Sequence, residues 1–246
     1  MTQKPPILVL RHEVCSSLGL LERLLEEQEI TVQYLNTSQG EVLAKPLSDY
    51  SHLIILGGAI SAYQSEQYPF LKYEFKLVEK AIAQQIPTIG ICLGSQVLAH
   101  VLGGTVYRGE SGREAGWCVL EKTEAASIDP IFKDFPQQFK VFESHQDTFT
   151  IPPECVHLVL SHTYPNQAFR YRDYVWALQF HPEIDDQVLI DCADVIRQEL
   201  IDSQIEDTTI EQLIAEASYY APFTAPLADT IMRNFLQVKS KALAPL

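Results

Sequence analysis

Thr88-Ile89-Gly90-Ile91-Cys92-Leu93-Gly94-Ser95-Gln96 passes from a short apolar strand, opened by Pro87, directly into a helical pattern that continues to Leu102. A cysteine at such a junction sits on a sharp strand-to-helix turn. The turned backbone leaves no room for side chains two places before and after it, and both of those places hold glycine, Gly90 and Gly94. The position also suits a nucleophile. A helix N-terminus offers unpaired amide hydrogens and a partial positive charge, which favour a thiolate, and the same amides can receive an oxyanion, with Leu93 N–H nearest. Cys92 is therefore read as catalytic. Cysteines in such chains are ordinarily small buried hydrophobes, and Cys15, Cys118, Cys155 and Cys192 take that reading.

Working outward, short apolar runs alternate with amphipathic stretches, the pattern of an α/β domain. Ile7 to Leu10, Thr31 to Leu35 and Leu53 to Leu56 read as strands, Leu18 to Glu29 and Phe70 to Gln85 as helices. From Gly103 to Phe180 the runs shorten and suggest a small, partly antiparallel region. Asp185 to Leu200 reads as a helix. Beyond it, Thr209 to Tyr219 and Leu227 to Lys239 read as two helices split by Pro222 and Pro226. The expected organisation is a domain over residues 1–200, an open, mostly parallel sheet flanked by helices, with a C-terminal helical extension over 201–246.

A cysteine nucleophile needs a base held by a third group. Gln179-Phe180-His181-Pro182-Glu183 supplies both at the end of a predicted strand, the side of an open α/β sheet where sites form. Glu183, two residues beyond His181, can set the tautomer of the imidazole. His145, in Glu143-Ser144-His145-Gln146-Asp147, reads as a second base or a loop contact, whereas His12, His52, His100, His157 and His162 carry no motif. Gly57-Gly58 closes the third strand, and Gly58 N–H is the candidate second oxyanion donor.

Bulk properties narrow the class. The 246 residues are 46% hydrophobic and 20% charged, enough for a sizeable core. A net charge of -14 argues against nucleic acid or an anionic membrane as partner. Five cysteines without CxxC spacing argue for reduced thiols rather than a disulfide framework or zinc site. No stretch has transmembrane length or reads as a secretory signal, so a cytoplasmic protein is expected.

Together the three segments resemble the class I, triad-type glutamine amidotransferase family over residues 7 to 200. Gly90 to Gln96 resembles its nucleophile motif, with Ser95 where histidine is frequent. Gln179 to Glu183 resembles its His-Pro-Glu motif. Gly57 to Ser61 matches its oxyanion segment, with Ala59 where proline is common. Arg113 to Trp117 and Ser144 to Asp147 are similar to segments of the GMP-synthase-like stand-alone branch. The resemblance implies a flavodoxin-like fold and a triad of Cys92, His181 and Glu183. It implies glutamine as substrate, its amino-acid end held by Gln96 and the backbone of Ser144 and His145, and the oxyanion by Gly58 and Leu93. It requires no cofactor and no metal. The chain carries neither a P-loop nor a Ser-Gly-Gly-x-Asp-Ser loop. Three readings stay open: an amidotransferase feeding ammonia to a separate synthetase, a hydrolase of γ-glutamyl conjugates, and a binding or regulatory subunit with little turnover.

Overall fold

The computed structural model describes residues 4–205 and 208–239; the remainder of the expected C-terminal extension lies outside these. In chain order the elements are β1 (Ile7–Arg11), α1 (Glu22–Glu27), β2 (Val32–Asn36), β3 (His52–Ile55), α2 (Phe70–Ala83), β4 (Thr88–Ile91), α3 (Leu93–Val101), β5 (Val106–Arg108), β6 (Glu114–Lys122), β7 (Gln138–His145), β8 (Asp147–Phe149), β9 (Cys155–Ser161), β10 (Ala168–Tyr171), β11 (Val175–Leu178), α4 (Asp186–Asp191), α5 (Ala193–Asp202) and α6 (Ile210–Phe235).

Among the described residues nine strands form one sheet in the order β2-β1-β3-β4-β11-β10-β9-β6-β7. The pairs from β2 through β11 are parallel, and from β11 to β7 they are antiparallel. The antiparallel strands thus extend the parallel sheet, and β5 pairs with β8 as a separate ribbon. Strands β3 and β4 are buried on both faces, which is why they read as unbroken apolar runs. On β1 the alternation divides the core: Ile7 and Val9 face a cluster with Leu25, Trp176 and Phe235, while Leu8 and Leu10 face one with Leu71, Val78 and Leu98.

Three expectations are corrected. The first is the C-terminus, where a single helix, α6, runs through both Pro222 and Pro226. A proline inside a helix costs about 3 kcal/mol. Burial outweighs it here: Ile231, Met232 and Phe235 are fully buried, at roughly 1.5–3 kcal/mol each. They enter the cluster of Trp176, so this segment packs into the main core. The expected boundary at 200 falls inside α5.

The second is the thiol inventory. Cys15 and Cys192 form a disulfide with Cα atoms 5.3 Å apart, where reduced thiols were expected. Spacing could not show it, because 177 residues separate the pair and the fold alone brings the β1–α1 loop against the α4–α5 junction. The third is the helix expected from Asp185 to Leu200, which the same junction splits at Cys192. Among the described residues no helix is long and apolar enough to cross a membrane.

Candidate active site

Three adjacent strands, β3, β4 and β11, end side by side, with Ile55 paired to Gly90 and Ile91 to Leu178. Their C-terminal ends deliver Gly57-Gly58, Cys92 and His181 to one place. Cys92 has φ 50° and ψ -109°, a left-handed backbone that a non-glycine residue adopts only under local constraint. The constraint is visible. Cys92 N–H donates to Leu178 O at 2.8 Å, and Cys92 O accepts from Ser95 N and Gln96 N at 3.0 and 3.2 Å and from Ser95 Oγ at 2.6 Å. Ser95 is thus a structural pin of the turn.

His181 is anchored by its own N–H to Phe142 O at 2.8 Å. Its Nδ1 lies 2.7 Å from Glu183 Oε1, and its Nε2 is buried without a hydrogen-bond partner among the described residues. Acceptance by the carboxylate makes Nδ1 the N–H nitrogen and turns Nε2 toward chemistry. A side-chain carbon placed on Gly57 would lie 3.2 Å from His181 Cε1 and 3.4 Å from Cys92 Cβ, so imidazole and thiol flank the same glycine. Burial alone would lower the His181 pKa; Glu183 and then Cys92 outweigh it, and the ring holds its proton well above the usual range. Cys92 Sγ lies 3.9 Å from Ser144 O.

Two hollows meet at Cys92. One is mostly apolar, with Leu56, Phe142, Ile184, Val188 and Ile196 beside His181 and Glu183. The other is polar, with Gln96, Arg108, Arg113, Asp147 and Glu199 beside the Ser144 and His145 segment. Gly58 lines both. Gln96 donates from Nε2 to Gln179 Oε1 at 3.3 Å, and its buried Oε1 has no partner among the described residues. Arg113 reaches Ser144 O at 3.2 Å and Ser144 Oγ at 2.8 Å and pairs with Glu199. The sequence marks Arg113 only as part of a similar segment, and nothing in it marks Glu199.

The His145 side chain does not serve Cys92 as a base. Its Nδ1 lies 2.9 Å from Asp147 O, and its Nε2 lies 3.1 Å from Glu114 and 3.3 Å from Glu143. These three side chains are the one grouping with metal-ligand proximity among the described residues, their ligand atoms within 4.8 Å of one another. Burial would lower the His145 pKa, but the two carboxylates raise it to about 10, which favours a protonated ring. Asp147 O can only accept, so both ring nitrogens act as donors. Ser161 Oγ and Gln167 Nε2 donate to Glu114 as well, completing a buried polar knot under the Ser144 backbone.

That knot has a pH signature. The folded pKa of His145 stands above its unfolded value of 6.5, so its stabilisation is complete below that pH and is lost as pH rises toward about 10. Burial raises the Glu143 pKa and acts with the same sign. Thermal unfolding should therefore show Tm falling by several degrees between pH 7 and 10. His145→Gln should lower Tm at pH 7 and flatten that decline; an equally steep decline in the variant would refute the assignment.

Comparison with known proteins finds relatives of the whole domain. A family profile described as glutamine amidotransferase class-I matches residues 16–189. The crystal structure of a glutamine amidotransferase from Thermotoga maritima is 36% identical, with a TM-score of 0.86, covering 95% of this chain and 98% of that one. The glutamine amidotransferase-like protein YfeJ of Salmonella typhimurium is 27% identical over 196 residues, 78% of this chain and 82% of that protein. One subunit of the glutamine-hydrolysing GMP synthase of Pyrococcus abyssi is 36% identical over 111 residues, 44% of this chain and 57% of that protein.

Proposed function

The chain belongs to the class I glutamine amidotransferase family, and from that premise we propose that it hydrolyses the side-chain amide of glutamine through a thioester on Cys92. The observation that carries the reading is the side-by-side ending of β3, β4 and β11, which groups the Gly57-Gly58 segment, a thiol and an imidazole–carboxylate pair.

In this mechanism the Cys92 sulfur attacks the carboxamide carbon. The oxygen gains negative charge beside the N–H groups of Gly58 and Leu93, donors fixed before reaction and so needing no reorganisation. His181, held by Glu183, gives its proton to the nitrogen, the C–N bond breaks, and ammonia leaves a γ-glutamyl thioester. The now neutral imidazole takes a proton from water, whose oxygen displaces the sulfur and releases glutamate. No step calls for a metal or organic cofactor.

The polar hollow suits the amino-acid end of glutamine, which carries one charge of each sign: Arg108 and Arg113 for its carboxylate, Asp147, Glu199 and Gln96 Oε1 for its ammonium. Relatives named as parts of GMP synthases support a separate synthetase as the acceptor's enzyme. We place the protein in the cytoplasm, away from nucleic acid and membrane. A second reading is favoured by the apolar hollow: His181 borders it, so the departing nitrogen leaves on that side. That setting would also accept an apolar amine, making γ-glutamyl conjugates substrates.

A glutamine-like chloroketone tests the chemistry. Intact mass and peptide mapping should show one equivalent of label on Cys92, with glutamine protecting it. Label on Cys118 or Cys155, or labelling that glutamine does not slow, would sink the reading.

A further inference from the structure

One buried ionisable pair takes no part in the mechanism above. His12 follows β1 directly, and its ring lies behind the glycine pair at the end of the neighbouring β3. His12 Nδ1 is 3.0 Å from Gly57 O, and Nε2 is 3.0 and 3.1 Å from the two carboxylate oxygens of Glu74 on α2. Glu74 Oε2 also accepts from Thr37 Oγ1 at 3.2 Å. The two side chains are 1% and 0% exposed. A buried charged pair costs several kcal/mol per ion in desolvation unless its geometry repays it, and an apolar pair would fill the same space without that cost.

The peptide joining Gly57 to Gly58 is one planar unit, so the carbonyl that His12 grips and the N–H offered to the oxyanion belong to the same group and point in opposite directions. Carbonyl oxygens only accept, so Nδ1 must carry a hydrogen in either tautomeric arrangement of the pair. A donor on the carbonyl fixes the rotation of the peptide and draws electron density toward oxygen, which strengthens the N–H on the other side. Steric contact adds to the fixing: a side-chain carbon on Gly58 would lie 2.8 Å from His12 Cβ and 2.9 Å from Leu93 Cδ2. Burial would lower the His12 pKa, but the Glu74 carboxylate raises it, which favours the charged form of the ring as donor.

We infer that His12, backed by Glu74 and Thr37, is a positioning residue that aims and polarises the Gly57–Gly58 peptide so that Gly58 N–H stabilises the oxyanion. The inference rests on the glutaminase reading of Cys92, and its test separates the two. Glutamate γ-semialdehyde should add the Cys92 sulfur to its carbonyl carbon, the oxygen of the resulting hemithioacetal lying where the oxyanion forms. Failure of the wild-type protein to form this adduct would count against the nucleophile itself.

With that adduct established, His12→Ala should lower kcat about 10²-fold, near the loss of one oxyanion donor, with KM for glutamine within threefold. Semialdehyde affinity should fall in parallel while glutamate affinity stays unchanged. His12→Gln, which keeps an N–H for the carbonyl, should recover part of the loss. Glu74→Gln, nearly isosteric, should fold and lose several-fold in kcat, and it carries the test if His12→Ala does not fold. Unchanged kcat in Glu74→Gln and His12→Gln, or a loss appearing equally in glutamate affinity, would overturn the inference.

Discussion

Cys92→Ala is expected to abolish glutaminase activity, with kcat reduced at least about 10⁴-fold, while thermal unfolding stays close to that of the parent protein. The size follows from the chemistry, since no other group can form the thioester and the oxyanion amides alone leave a residual advantage over water. Near-native stability follows from the packing. Cys92 is buried beside Gly57 and Ser144 O, and alanine removes only one sulfur. Its left-handed backbone is held by Leu178 O and by Ser95, not by the thiol. Combining the change with His181→Ala should cost little more, because nucleophile and base act as one unit. Steady release of ammonia by the purified Cys92→Ala protein would remove the thioester mechanism.

What was legible in the sequence was what local backbone demands. Gly90, Cys92 and Gly94 declare a turn because the crowding occurs within five residues, and His181 with Glu183 declares a pair because a single proline separates them. Long-range partners were not legible. His12 carries no motif, yet it meets Gly57 and Glu74 across 45 and 62 positions. Arg113 finds Glu199 across 86. Cys15 and Cys192 lie farther apart still. Each of these meetings is produced by the fold, which brings sequence-distant strand ends, loops and helices together. Local propensity erred once in the other direction: Pro222 and Pro226 argue for a break, but the buried faces on both sides of them, Leu213 with Ala217 and Ile231 with Phe235, hold α6 in one piece.

The packing of α3 against β3 also makes the glycines around Cys92 fragile points of the fold. A Cβ on Gly94 would stand 2.2 Å from Ile55 O and 2.8 Å from Ile55 C, both backbone atoms of β3, which cannot rotate out of the way. A Cβ on Gly90 would likewise meet Gly94 O at 2.3 Å. Ordinary overpacking costs about 1–3 kcal/mol because side chains can shift; here α3 as a whole must retreat from the sheet, so Gly94→Ala should exceed that range. For a chain of this size each kcal/mol moves Tm by roughly 2–4 °C, so Tm should drop by about 10 °C or more, or the variant should fail to fold. Gly40→Ala gives the contrast: its φ is +79°, but nothing lies within 4 Å of the added carbon, so only backbone strain of about 1 kcal/mol remains. Any Gly94→Ala protein that does fold should carry a displaced Cys92 and resist the chloroketone. Differential scanning calorimetry of the two variants decides the matter, and Gly94→Ala melting within about 2 °C of the parent, less than the shift expected for a single kcal/mol, would mean that helix and strand do not approach as closely as the turn requires.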